Sequence, residues 1–297
     1  MKSLSGSTLK LVAMITMLID HIAAVPLARI LLSGGWSESL HTIYSIMRQV
    51  GRLSFPIFCF LLVEGFGKTA SRAKYALRLG VFALLSEIPF DLAIRSKVLE
   101  FGRQNVFFTL FLGMTVMCAY DLLAKRRPPK AVQWILCAVG TVFFGGWLMR
   151  HRPSQLIFDS RQQNIFFFGL VCFVILSLLM LYGKFFGKDK LLTAGTDLAV
   201  MTVFILLADL LKTDYSGVGI LTITAIYAFR GFYLPAMAAG TAVLALLGVS
   251  EMPALFAVIP AALYNGKRGL KLKYFFYIFY PVHLLVLWAV VRFMKIG

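Results

Sequence analysis

Apolar stretches of about 20 residues alternate with short polar connections along the whole chain. A stretch of that length is what an α-helix needs to cross roughly 30 Å of hydrocarbon. Because lipid offers no hydrogen-bond partners, the backbone must satisfy its own, which favours helices. We therefore predict an all-α, polytopic integral membrane protein with ten or eleven transmembrane helices. The spans are 9–33, 43–66, 74–94, 105–123, 131–149, 164–186, 191–211, 216–229, 231–248, 251–264 and 273–294, of which the eighth and tenth are short.

Composition agrees with this pattern, since 60% of the 297 residues are hydrophobic and only 14% are charged. A soluble globular domain does not have this composition. The formal net charge of +17 is not a sign of nucleic-acid binding, because the 30 lysines and arginines form short clusters between the spans. More of them fall on the side of the membrane that holds the amino terminus, which predicts a cytoplasmic amino terminus. The expected location is a bacterial inner or cytoplasmic membrane.

No connection between spans is long enough to fold alone, so we predict one transmembrane domain over 1–297. The first apolar stretch is too long for a signal peptide and is expected to be retained. The four cysteines all lie inside predicted spans without paired spacing. They are expected to be packing residues, with neither disulfides nor a metal site.

Polar residues inside the spans are concentrated in the first three and the last. Asp20 and His21 stand together in the middle of the first span, where ionisable groups are costly and usually functional. Lys10 precedes His21 by eleven residues, which is about three helical turns, so both side chains share one face with their backbones about 16 Å apart. Lys10 is either a topology-setting lysine or a phosphate ligand. His21 is either catalytic or hydrogen-bonded to a neighbouring helix.

Arg48 and Arg52 are one turn apart on the second span and therefore share a face. Either arginine can neutralise Asp20 or Glu64, as buried charges require, or bind an anionic substrate. Asp20 and His21 point about 100° apart on a helix. The aspartate therefore either orients the imidazole or pairs with an arginine.

The third and last spans carry further candidates. Glu87 and Asp91 flank Pro89, whose kink opens a cavity in many helices. They either bind a cationic acceptor amine or face solvent beyond the end of the span. Tyr280 precedes His283 in the last span. The histidine is a general base, a hydrogen-bond donor to a thioester carbonyl, or a satisfied core residue.

As an ordered set, seven segments of the chain resemble the TraX family, which is named after the protein that acetylates the amino terminus of conjugative pilin. The segments are Ile19–Ile22, Gly51–Phe58, Leu62–Phe66, Ser86–Leu92, Gln104–Leu110, Asp214–Gly217 and Phe279–His283.

The chain is also similar, more distantly, to transmembrane acyltransferases that modify cell-surface sugars. In that group a basic residue stands eleven positions before a histidine, which Lys10 and His21 match. A Tyr-x-x-x-x-x-His element closes the domain, which Tyr277 and His283 match. The chain departs from the group at Glu64, where the sugar-modifying enzymes have a serine before the glycine of their second-helix element.

The resemblance implies helices around a central tunnel, with acetyl-CoA entering from the cytoplasm and an acceptor on the opposite side. It implies His21 as the principal catalytic residue. We expect Asp20, His283 and Tyr280 to assist it, and Lys10, Arg48 and Arg52 to bind the phosphates of acetyl-CoA. The candidate acceptor-binding residues are Glu64, Glu87, Asp91 and Asn105.

The predicted function is an acetyl-CoA-dependent membrane acyltransferase whose acceptor is an amine or hydroxyl of a peptide, glycan or lipid. The alternative is a proton-coupled secondary transporter or flippase, for which Asp20, Glu64, Glu87 and Asp91 would carry protons. A non-catalytic assembly partner is a third interpretation. A homodimer is left open by the sequence.

Overall fold

The computed structural model describes residues 3–34, 37–152, 156, 160–246, 248–270 and 273–294. Within these residues the secondary structure is helical, and the only β-type pairings are two isolated bridges, Leu4 with Tyr264 and Gln104 with Thr213. The predicted all-α, polytopic membrane class is confirmed.

Thirteen α-helices follow one another in the described residues. They are α1 Gly6–Ile22, α2 Ala28–Leu32, α3 Glu38–Gly51, α4 Ser54–Lys68, α5 Arg72–Arg95, α6 Val106–Lys125, α7 Lys130–Arg150, α8 Arg161–Phe186, α9 Lys188–Leu210, α10 Ser216–Ala228, α11 Tyr233–Ala245, α12 Val258–Ala262 and α13 Lys273–Phe293. A π-helix, Ala23–Leu27, joins α1 to α2, and a 3-10 helix, Val249–Ala257, precedes α12.

Each predicted span has a helical counterpart, but not all counterparts are long and apolar enough to cross a membrane. Seven helical segments of the described chain meet both conditions, counting α1 with α2 and α3 with α4 as continuous. Helix α5 has 24 residues but carries several charges. The counterparts of spans eight to ten, Ser216–Ala228, Tyr233–Ala245 and Val249–Ala262, are shorter. At 1.5 Å per residue, a helix of 13 residues covers only about 20 Å.

Serine side chains set the start of several helices. Ser5, Ser37, Ser71 and Ser160 precede α1, α3, α5 and α8, and each accepts a hydrogen bond from the backbone amide three residues later. This satisfies one of the free amides at the helix start. The second predicted span, 43–66, lies within the continuous segment Glu38–Lys68, in which a turn at Arg52 and Leu53 joins α3 to α4. Pro56 lies in the first turn of α4, where a missing amide costs little.

The chain folds into two compact units. The first comprises residues 1–115 and 208–297, and the second comprises 116–207. In the first unit α1 packs against α3 and α4, α13 packs against α5, and α10 packs against α11. Small residues permit these close approaches, as is usual between membrane helices. At Gly240 of α11, for example, a Cβ would collide with the side chain of Ile226 in α10.

The second unit contains α7, α8 and most of α9. A Cβ at Gly140 of α7 would collide with the backbone of Ala199 in α9, and a Cβ at Gly145 would collide with the sulfur of Cys172 in α8. Glycine is therefore required where these helices touch. None of the residues of α8 is buried, which is the pattern of a lipid-facing helix.

Candidate active site

Two histidines from opposite ends of the sequence meet inside the first unit. His21 Nδ1, near the end of α1, lies 2.6 Å from His283 Nε2, in the middle of α13. The two rings are nearly parallel, with 4.9 Å between their centroids. His283 is 5% exposed and its other nitrogen, Nδ1, lies 2.8 Å from the carbonyl oxygen of Phe279.

This geometry fixes the tautomers of the neutral pair. A carbonyl oxygen only accepts, so His283 Nδ1 carries a proton and donates it to Phe279. His283 Nε2 is then the acceptor, and His21 Nδ1 donates to it. The lone pair of His21 therefore resides on Nε2, for which no described residue is a hydrogen-bond partner. The arrangement leaves one histidine with a free basic nitrogen and uses the other to hold its orientation.

Tyr280 lies one turn before His283 and closes one side of the pair. Its ring is 6.1 Å from that of His21 in an edge-on arrangement, and Phe107 packs edge-on against it at 5.2 Å. Its hydroxyl accepts a hydrogen bond from the backbone amide of Val106, the first residue of α6. Free amides at a helix start favour negative charge nearby, so α6 directs its positive end towards this tyrosine.

Asp20 pairs with an arginine and not with the neighbouring imidazole. Its Oδ1 lies 2.7 Å from Arg48 Nη1, and both side chains are half-buried. Gly51 makes this pair possible, because a Cβ there would collide with the side chain of Asp20. Of the two alternatives left by the sequence, the structure shows the arginine partner.

Further ion pairs lie near Asp20. Arg52 Nη1 lies 3.1 Å from Glu251 Oε1, and Arg103 pairs with Asp214. The loop of Asp214 is joined to that of Arg103 by two backbone hydrogen bonds between Gln104 and residues 212 and 214, each 2.9 Å long. These contacts make a group of paired charges around Asp20.

A large cavity, with a volume of about 680 Å³, lies in the first unit. Its lining on α1 includes Lys10 and Met17, and Met17 is one turn before His21. Its lining on α13 includes Phe276 and Tyr280, and Tyr280 is one turn before His283. The cavity therefore reaches the helical turn next to the pair on both helices. Its size is in the range of small-molecule and cofactor sites.

The cavity is strongly basic. Four cations line it without a carboxylate partner among the described residues: Lys10, Lys74, Arg78 and Arg268. The Nε of Arg78 is buried and has no hydrogen-bond partner. Aromatic rings accompany these charges, since Lys10 Nζ lies 4.9 Å from the ring centre of Phe276. A basic cavity with aromatic walls fits an anionic ligand that contains a planar ring.

Glu64 and Lys68 also line the cavity, but they satisfy each other. Lys68 Nζ donates to Glu64 Oε2 at 2.6 Å, to the hydroxyl of Tyr264 at 3.0 Å and to the carbonyl oxygen of Gly266 at 2.9 Å. Burial raises the pKa of the Tyr264 phenol, although Lys68 opposes the effect. The phenol is therefore neutral at ordinary pH.

Glu87, Asp91 and Asn105 form a buried network that holds a loop. The side-chain amide of Asn105 donates to Glu87 and to the carbonyl oxygen of Ala83, while its oxygen accepts from the amide of Phe107. Asp91 Oδ2 accepts from the backbone amide of Glu100 at 2.7 Å. In the same loop, the Lys97 ammonium holds the pKa of Glu100 below its usual value. These residues cap α6 and fasten the connection from α5.

The structure thus brings together only some of the residues selected from the sequence. His21, His283 and Tyr280 meet, and Lys10 lies at the cavity that reaches them. Glu64 lies at the same cavity. Arg48 and Arg52 are not among its lining residues and are paired with carboxylates. Glu87, Asp91 and Asn105 contact one another or backbone groups.

Sequence reasoning missed residues of the cavity and of the paired charges around Asp20. Arg78 and Arg268 line the cavity but looked like ordinary topology-setting charges. Glu251 was also missed, although it is the only carboxylate in the predicted span 251–264. An isolated charge in an apolar span was the signal that could have identified it.

Comparison with known proteins gives a consistent result. The chain matches the family described as TraX protein over residues 5–151 and 141–291. It is 28% identical over 303 residues to a protein of Dichelobacter nodosus named "Probable fimbrial assembly protein FimC, serogroup H1". The alignment covers 98% of this chain and 97% of the relative. No solved structure matches the chain.

Proposed function

The chain belongs to the TraX family, and from that premise we propose that it is a membrane acetyltransferase. It would move an acetyl group from cytoplasmic acetyl-CoA to an amine or hydroxyl of a peptide, glycan or lipid at the outer side of the membrane. The observation that carries this proposal is the hydrogen bond between His21 and His283. It leaves the His21 Nε2 lone pair without a hydrogen-bond partner among the described residues, one helical turn from Met17, which lines a basic cavity.

His21 acts as the general base in this proposal. Its Nε2 takes a proton from the acceptor amine or hydroxyl while that group attacks the thioester carbonyl, and the same proton then goes to the departing sulfur. A carbon–nitrogen or carbon–oxygen bond forms and the carbon–sulfur bond breaks. A neutral imidazole suits such a proton transfer, which typically contributes about a hundredfold to ten-thousandfold in rate.

Tyr280 is the candidate donor to the oxygen that becomes negative during the attack. Its hydroxyl keeps its own proton while accepting from Val106, so it can donate. The positive end of α6 supports negative charge at the same place. Loss of one such donor typically costs about a hundredfold or more in rate.

The cavity is the proposed site of the acyl donor. Lys10, Lys74, Arg78 and Arg268 supply four positive charges for the diphosphate and 3′-phosphate of acetyl-CoA. Tyr75 and Phe276 offer ring faces for its adenine. Because Lys10 is about 16 Å along α1 from His21, a donor bound by its phosphates has to extend towards the histidine pair.

A fimbrial or pilin-like peptide is the acceptor that the comparisons favour, through the printed name of the relative. The transporter alternative gains no support from the carboxylates on which it depends. Each has a partner: Asp20 has Arg48, Glu64 has Lys68, Glu87 has Asn105, and Asp91 has the amide of Glu100.

The test uses the full chain reconstituted in sealed proteoliposomes, with acetyl-CoA and a peptide amine on opposite sides of the membrane. Coenzyme A release and peptide acetylation are followed for wild type and for His21→Ala. Transfer by the wild type with a loss of at least a hundredfold in the variant supports the proposal. Equal rates in both proteins, or proton-coupled uptake without any coenzyme A requirement, would contradict it.

A further inference from the structure

One lysine of the basic cavity has no capacity left for a ligand. The ammonium of Lys68 has three N–H groups, and it has three acceptors: Glu64, Tyr264 and the Gly266 carbonyl oxygen. Two of these acceptors lie in the connection between α12 and α13, in the segment 263–270, named here the cavity loop. Lys68 therefore holds the cavity loop and does not present a free charge to the cavity.

The amino-terminal residues hold the cavity loop from its other side. The amide of Gly6 donates to the Lys267 carbonyl oxygen at 2.8 Å, and the amide of Ser7 donates to that of Arg268 at 2.9 Å. The hydroxyl of Ser7 accepts from the amide of Leu270 at 3.0 Å. Three of the four residues 267–270 are thus hydrogen-bonded to Gly6 or Ser7.

Gly269 shows how closely the two segments approach. Its φ of +73° is unfavourable for other residues, and a Cβ there would collide with the hydroxyl of Ser7. The loop is therefore a built element of the cavity wall, with a defined backbone path. Its position determines where the side chain of Arg268 can reach.

Arg268 is the loop's contribution to the cavity. It lines the cavity together with Lys10, and neither has a carboxylate partner among the residues that the structure describes. Lys267, the adjacent cation of the same loop, is not a lining residue. The loop therefore presents one of its two cations to the ligand.

We infer that Lys68 is a positioning residue of the acyl-donor site. It holds the cavity loop that carries Arg268 and affects phosphate binding only through that arginine. The inference rests on the proposed function, because it names further residues of the same donor site.

The experiment is a double-mutant cycle on coenzyme A binding by the full chain in nanodiscs. Arg268→Gln is expected to weaken binding about tenfold to a hundredfold, which corresponds to one hydrogen bond between charged groups. Lys68→Met is expected to weaken it by a similar factor. The double variant is expected to bind no more weakly than Arg268→Gln alone, because Lys68 acts through Arg268.

Lys267→Gln is the matched control, and it should bind coenzyme A as the wild type does. The kcat at saturating acetyl-CoA should stay within about threefold of wild type in every variant. The KM should rise in the Arg268 and Lys68 variants and stay unchanged in Lys267→Gln. If Lys68→Met does not fold, Tyr264→Phe replaces it, because that change removes only one bond to Lys68. Tyr264→Phe should weaken coenzyme A binding about twofold to fivefold, and it should have no further effect when it is added to Arg268→Gln.

The outcomes separate this inference from the proposed function. A wild type that does not bind coenzyme A overturns both. If the wild type binds, then wild-type affinity in Arg268→Gln, wild-type affinity in Lys68→Met, or additive losses in the double variant each overturn the inference alone.

Discussion

Replacing His283 by phenylalanine tests the role of the histidine pair most sharply. Phenylalanine keeps the flat ring that packs on Phe279, where the ring centres are 4.8 Å apart. It removes the acceptor for His21 Nδ1 and the donor to the Phe279 carbonyl oxygen. His21 is then free to change tautomer or to rotate, and its basic nitrogen no longer has a fixed position.

The size of the effect follows from these bonds. A buried N–H without a partner costs about 1–3 kcal/mol, so the protein should remain folded with a modestly lower unfolding temperature. The rate should fall much more, because a histidine in the wrong tautomer cannot act as the base. Losses of about a hundredfold to ten-thousandfold in kcat are typical of such defects.

The assay is acetyl transfer at saturating acetyl-CoA, with coenzyme A binding measured on the same preparation. His283 is not among the cavity-lining residues, so the Kd should stay within about threefold. His283→Gln is the matched variant, since its amide oxygen offers an acceptor in place of Nε2, and it should retain more activity than His283→Phe. A His283→Phe protein with a kcat within threefold of wild type would refute the tautomer argument.

Three other changes have distinct expected results. Lys10→Gln removes an unpaired charge of the cavity and should raise the KM for acetyl-CoA about tenfold with little change in kcat, as steady-state rates would show; an unchanged KM would contradict its role. Asn105→Ala removes the cap of α6 and a partner of Glu87, so thermal unfolding should show a loss of about 1–3 kcal/mol, and unaltered stability would be the contrary result. Asp20→Asn should destabilise the protein by about 1–3 kcal/mol because it leaves Arg48 without its carboxylate. Adding Arg48→Gln should recover part of that loss, and a double variant that is less stable than Asp20→Asn would argue against the pair.

The fold class could be predicted from the sequence because the length of the apolar stretches is enough to indicate membrane-spanning helices. The lengths of the individual helices could not be predicted in this way, since apolar residues continue into turns and loops. The predicted span 231–248 is an example: its helix is Tyr233–Ala245, because a short apolar connection looks the same as a helix in a hydropathy pattern.

Some residues of the candidate site could also be selected from the sequence, but their tertiary partners could not. The eleven-residue spacing predicts that Lys10 and His21 share one face of α1. In the structure Lys10 lines the cavity and His21 belongs to the histidine pair. The meeting of His21 with His283 depends on how α13 packs, 262 positions later in the chain. No local pattern contains that information.

Charges were the hardest residues to interpret from sequence. Arg48 and Arg52 have the spacing of a binding pair, yet each faces a carboxylate from another segment. Arg268 has no distinctive spacing, yet it lines the cavity. Whether an arginine is paired or free is decided by tertiary contacts, which the sequence alone does not show.

The most direct test of the whole account is a structure determined with coenzyme A bound. We predict density for the phosphates among Lys10, Lys74, Arg78 and Arg268, with the thiol end next to the His21–His283 pair, within about 3–4 Å of His21 Nε2. A ligand bound elsewhere, or a cavity without ligand at saturating coenzyme A, would contradict the assignment of this site as the donor site of an acetyltransferase.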